Sequence, residues 1–313
     1  MQFAAEHIGS DYAKFASDYR VLVQANEQCA IDFGFDQLSC ISDPYRETQG
    51  FGSKITYRTD ATPLSTHPLA DCKDLDALTQ PNPLESERMK DRVDAVTEYK
   101  QRFDGQYSIL GWVEGPAAEA ADLRDVANFM IDTVMDEQYA CDLMDLCLEN
   151  AIAFALAQVQ AGADTIGVGD AVASLVSPDT YESIILPREM LLVKAIQDAG
   201  AYVKLHICGN IAHLLDGIAT LNVDILDVDH MMDISLVRQK VGPKVVLGGN
   251  IDPSEGVSRG NPESIRKTMR EAYKQAGNPF MVNAGCEIPS GTPIENLKAM
   301  CEPIEYRPYR RYV

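Results

Sequence analysis

The sequence predicts an α/β fold, a TIM-type (β/α)8 barrel with an incomplete first strand, and three observations carry that prediction. Short β-branched runs alternate with helix-period segments from one end of the chain to the other. Polar, ligand-capable residues gather just after the apolar runs and not inside them. The 313 residues contain no low-complexity tract or short repeat, so they read as a single domain, 1–313, of a size such barrels reach.

Taken in order, Met1–Ala5 reads as the tail of a first strand, inside or just after which the chain begins. Seven fuller runs follow: Gln37–Ile41, Tyr107–Val113, Thr165–Gly169, Tyr202–Ile207, Ile225–Val228, Lys244–Leu247 and Phe280–Ala284. Helical stretches lie between them. The clearest is Pro262–Ala276, which puts Ile265, Met269, Ala272 and Ala276 on one face and stops at Gly277–Asn278. Two stretches break the alternation. Phe51–Pro68 reads as a hairpin or excursion, and Asp71–Thr97, with Pro81 and Pro83, as a loop running into a helix.

Bulk composition narrows the function classes. At 46% hydrophobic and 24% charged, the chain can bury a large core. Its net charge of −20 opposes nucleic acid and anionic membrane surfaces, which select basic patches. No apolar run reaches the roughly 18 residues of a membrane span. The N-terminus lacks the basic start and long apolar stretch of a signal peptide. A cytoplasmic protein is expected, and its eight cysteines are then thiols or metal ligands, not a disulfide framework.

A parallel barrel builds its site from the C-terminal ends of its strands. Those positions hold Asp43, Glu114, Asp170, His206, Cys208, Asn210, Asp229, His230, Asn250, Asp252, Cys286 and Glu287. His206 and Cys208 stand two apart, so their side chains point to the same side. Imidazole nitrogen and thiolate sulfur are a set zinc prefers, and Cys286 at the end of the last strand opens on the same face. Three protein donors leave a fourth position for substrate, as in catalytic zinc sites. The plainer reading makes the same thiols small core hydrophobes.

Cys29, Cys40, Cys72, Cys141, Cys147 and Cys301 read as packing residues, and His7, His67 and His213 as ordinary histidines. His230 is a candidate for lining the pocket. Asp43, Glu114 and Asp170 are candidates for catalytic work, and Asn210, Asp229 and Asn250 for holding a cofactor or substrate. The competing reading for all six is capping or turn formation in βα loops.

The stretches FGFDQLSCISDPYRE (33–47), GWVEGP (111–116), GADTIGVGD (162–170), VKLHICGN (203–210), ILDVDH (225–230), LGGNIDP (247–253) and GCEIPSGTPIENL (285–297) resemble the uroporphyrinogen decarboxylase superfamily, and within it the cobalamin-dependent methyltransferase branch. The resemblance implies a TIM barrel, a zinc ion on His206, Cys208 and Cys286, and methyl transfer to or from a corrinoid. The arginine-rich motif of the true decarboxylases is not present near the N-terminus. Cobalamin modules use D-x-H-x-x-G, and KLHICG at 204–209 has lysine where the aspartate would stand. A separate corrinoid protein is therefore the expected partner. The expected substrate is a small thiol or a methoxy or other methylated compound. The alternatives are a decarboxylase-like lyase acting on a carboxylated substrate, and a metal-holding barrel without catalysis.

Overall fold

A computed structural model describes residues 1–305. Its centre is a parallel seven-stranded sheet: β1 (Gln37–Ser39), β2 (Ser108–Glu114), β3 (Thr165–Gly169), β4 (Tyr202–His206), β5 (Ile225–Asp227), β6 (Val246–Ile251) and β7 (Phe280–Ala284). Each strand pairs with the next in sequence order, as βαβ crossovers dictate. β1 and β7 are the edges of this sheet. The burial of β3 explains its composition. Every residue of Thr165–Gly169 is enclosed, and such a strand reads as a continuous apolar run without alternation.

The excursion after β1 forms a short antiparallel hairpin, Ile55–Thr56 against Leu64–Ser65. The polar stretch after it runs into the helix Glu87–Phe103. Pro262–Ala276 is a helix that buries Ile265, Met269, Ala272 and Ala276, with an Asn261–Ser264 capping box at its start and Gly277 at its end.

Two expectations are corrected. Met1–Ala5 is no strand: Gln2–His7 is a helix, burying Ala4 and Ala5. The run is Ala-rich and short, and a single helical turn and a strand tail look alike at that length. The sixth strand extends beyond Lys244–Leu247 to Ile251, so Asn250 lies inside β6 and not in the turn after it. Gly248 and Gly249 look like a turn signal. Gly248 has a packing reason to be in the strand, because a Cβ there would stand 2.9 Å from Asp227 Oδ1.

Candidate metal centre

β4 ends on His206, and the chain continues to Cys208 before turning at Gly209. Gly209 has φ +88°, a left-handed conformation that a side chain would strain. Its N–H donates to Asp229 Oδ2 at 2.9 Å, and Asp229 Oδ1 accepts from Met231 N at 2.9 Å. One carboxylate thus ties the loop after β4 to the loop after β5. Cys286 arrives from the end of β7. The donor atoms of His206, Cys208 and Cys286 all lie within 4.8 Å of one another, and His206 Nε2 is 3.1 Å from Cys208 Sγ. This is a set of one nitrogen and two sulfurs that can hold a metal ion.

The protonation of the cluster is uneven. Hydrogen bonds from Cys208 and His206 outweigh burial and bring the Cys286 thiol down to about 4. The Cys208 thiol is pushed up by its bond to Cys286 and by burial. Burial alone would depress His206, but its bond to Cys286 and the charge of Asp227 raise it.

The other side of the His206 ring faces Asp227. His206 Nδ1 lies 3.3 Å from the Asp227 carbonyl oxygen and 3.5 Å from Asp227 Oδ2. Asp227 is held in turn by Asn283 Nδ2 at 2.6 Å and Lys204 Nζ at 3.4 Å. Such a partner fixes which ring nitrogen carries the proton and leaves Nε2 free to ligate. The sequence reading missed Asp227, Lys204 and Asn283. A signal was present: Lys204 stands two residues before His206 on β4, so the two point the same way.

The remaining candidates sit as follows. Asp43 is buried and accepts a fork of bonds from Arg88 at 2.7 and 2.5 Å. Burial would raise its carboxyl, but Arg88, Arg46 and Ser42 together hold it below the ordinary range. Glu114 ends β2, and its Oε1 accepts from Arg46 at 2.5 Å and from Trp112 Nε1 at 3.2 Å. Burial drives its carboxyl well up, Arg46 opposes this, and Glu47 adds to it. Asp170 accepts from Ala117 N at 3.3 Å and Ala118 N at 2.7 Å, at the start of the helix Pro116–Arg124. Burial lifts it to about 7 against those two bonds.

Asn210 is exposed and caps its own turn through Ala212 N at 3.1 Å. Asn250 Nδ2 donates to the carbonyls of Asp229 at 3.1 Å and Met232 at 2.8 Å, bracing the loop after β5. His230 is partly exposed, with Nδ1 3.0 Å from Asp229 and Nε2 3.5 Å from Asp252. Asp252 caps the turn that follows β6 through Ser254 N at 2.8 Å. The structure thus gathers His206, Cys208 and Cys286, braces them with Asp229 and Asp227, and binds Asp43 and Asp170 into interactions of their own.

A curled parallel α/β sheet with a nitrogen–sulfur–sulfur cluster at its C-terminal end defines an α/β-barrel protein with a candidate metal centre. The chain belongs to the uroporphyrinogen decarboxylase (URO-D) family, whose model matches residues 1–306. It is 31% identical over 232 residues to a methylcobamide:CoM methyltransferase of Methanosarcina barkeri, covering 73% of this chain and 67% of that protein. It is 27% identical over 301 residues to a methylcobamide:CoM methyltransferase of Methanosarcina mazei, covering 95% of this chain and 87% of the relative. A solved methyltransferase from Methanosarcina mazei shares the fold with a TM-score of 0.87 at 23% identity, over 95% of this chain and 88% of the other. Similarity to named methyltransferases places the chain among the enzymes of its family.

Proposed function

We propose that the chain is a zinc-dependent methyltransferase that moves a methyl group between a corrinoid carried by a separate protein and a small thiol, working in the cytoplasm. The observation that carries this reading is the convergence of His206, Cys208 and Cys286 donor atoms within 4.8 Å. The relatives' names supply the methyl group and the corrinoid.

The donor set fits zinc. His206 Nε2, Cys208 Sγ and Cys286 Sγ would hold the ion, and it would supply a site that keeps a thiol deprotonated near neutral pH while leaving its sulfur nucleophilic. Two thiolates and one neutral imidazole balance a divalent charge, which favours a nucleophilic bound sulfur over a strongly electrophilic metal. Asp227 holds the His206 ring with Nδ1 turned away from the cluster. Asp229 holds the Cys208 loop in place. A thiol held there would release its proton to solvent, and its sulfur would take the methyl carbon as the methylated corrinoid, the other substrate, gives that carbon up and keeps the bonding pair.

The decarboxylase-like alternative needs free arginines for substrate carboxylates. Arg46 faces Glu114 and Glu47, Arg88 faces Asp43, and Arg92 faces Asp91, and all three guanidinium groups are buried. No helix among the described residues is long and apolar enough to cross a membrane.

Metal analysis tests the proposal. The purified protein should hold about one zinc per chain, and Cys208→Ala and Cys286→Ala should hold far less. Zinc-loaded protein should bleach the methylcobalamin spectrum when a small thiol is added. A wild type with as little zinc as the two variants would overturn the reading.

A further inference from the structure

The loop after β5 supports both of the cysteine-bearing segments at the barrel mouth. Asp229 Oδ2 accepts from Gly209 N, next to Cys208. The backbone of Gly285, next to Cys286, packs so closely on the following residue, His230, that a Cβ there would stand 2.2 Å from His230 N. Only glycine fits at such an approach. Two neighbouring residues, Asp229 and His230, thus carry Cys208 and Cys286 to one place. Their Sγ atoms belong to a group whose donors all lie within 4.8 Å of one another. These contacts are made by the chain itself, so the fold holds the two sulfurs as neighbours.

Access sets this pair apart. Cys286 is exposed and Cys208 partly so, whereas Cys29, Cys40 and Cys147 are buried. A small molecule in solvent therefore reaches the pair, and reaches Cys286 first. Two sulfurs sharing one zinc stand about 3.8 Å apart, from bonds of about 2.3 Å at a tetrahedral angle. A disulfide needs about 2.05 Å. The two states want different separations of the same atoms, and a change of side-chain rotamer at either cysteine is the movement between them.

We propose that Cys208 and Cys286 are a site of reversible oxidation, closed into a disulfide by a low-molecular-weight disulfide, and that this bond and a bound zinc exclude each other. The Cys286 sulfur attacks one sulfur of the small disulfide, whose S–S bond breaks. One small thiol leaves with the bonding pair and takes up a proton. The Cys208 sulfur then attacks Cys286, and the second small thiol leaves in the same way. The two protein thiols give up two electrons and two protons, and the oxidant becomes two thiols. Sulfur ligates a metal as thiolate, so the closed pair leaves His206 alone of the three donors. An ion held on both sulfurs in turn keeps them from the oxidant. Methyl transfer is not required for any of these steps.

Peptide mapping of the whole chain tests this. Chelator-treated protein is incubated with oxidised glutathione and digested without reduction, and the peptides are read by mass spectrometry. The peptides carrying Cys208 and Cys286 should be joined, two hydrogens lighter than their sum, with no glutathione on either. Cys208→Ser should stop one step earlier, with glutathione on Cys286. The joined wild type should take up less than about a tenth of the zinc that the reduced chain takes up, and dithiothreitol should restore uptake. Zinc added before the oxidant should slow the joining about tenfold or more. Wild type that keeps glutathione on Cys286, or that joins either cysteine to a different one, overturns the proposal. So does a joined chain that binds zinc as the reduced chain does. A reduced chain that takes up no zinc would instead overturn the metal centre and leave the disulfide standing.

Discussion

Two sides of the same barrel handle buried polar groups in opposite ways. On the β1–β2 side, Asp43, Arg46, Arg88, Glu47 and Glu114 are enclosed and answer one another, carboxylate to guanidinium. On the β4–β7 side, His206, Cys208 and Cys286 are braced from behind by Asp227 and Asp229, while their donor atoms converge on a common point. The first arrangement pairs its carboxyl groups with guanidinium groups of the same chain. The second holds donors ready for something the chain does not itself supply. The contrast teaches that ionisable residues at a barrel mouth are told apart by whether their partners complete them.

The sharpest way to break the comparison is to unpair one side and leave the other alone. Arg88→Met strands the Asp43 carboxylate in the interior and should cost about 3–5 kcal/mol in urea unfolding, with zinc content per folded chain unchanged. A loss of zinc in proportion would show that the two sides are one unit. Conversely, Cys286→Ala should weaken zinc binding about a hundredfold or more in a chelator competition. It should also cost the metal-free protein under about 1 kcal/mol, since Cys286 is exposed.

Asp170, which follows β3 between the two sides and accepts from backbone N–H groups, offers a pH test of its own. Its folded carboxyl is raised to about 7 from 3.8, so it favours folding fully below pH about 4 and loses that contribution as pH rises through 7. Asp170→Asn should therefore gain on wild type by roughly 3–4 kcal/mol between pH 4 and 7 in urea unfolding. A difference between the two proteins that stays flat with pH would show that Asp170 is ionised throughout. The smallest effect belongs to the brace behind the cluster. Asp227→Asn should weaken zinc affinity about tenfold while keeping all three donors. An unaltered affinity would mean that the His206 ring is set by packing alone.

Much of this was legible because it is local. The strand runs around Thr165 and Tyr202 announce themselves by composition, and H-x-C at 206–208 announces itself by spacing. Cys286 was legible only after strand ends were taken to share one face. The ion-paired side was not legible. Asp43 and Arg88 are 45 residues apart, and nothing in GFDQLSCISDPYRE says which base completes the acid. Met1–Ala5 misled because a few alanines beside a phenylalanine suit a helix turn and a strand tail equally. Gly248 and Gly249 misled because glycine in a strand and glycine in a turn are the same letter. Only the Asp227 carboxylate packed against Gly248 tells them apart.

The position of β7 at the sheet edge has a consequence for local stability. His206 and Cys208 follow β4, which is hydrogen-bonded on both flanks, whereas Cys286 follows a strand that, among the described residues, pairs with β6 alone. Two donors stand on a strand held from both sides and the third on one held from a single side. An ion held by all three would tie the less supported strand to the better supported one. Amide hydrogen exchange along 280–284 should then slow on zinc addition far more than exchange along 202–206.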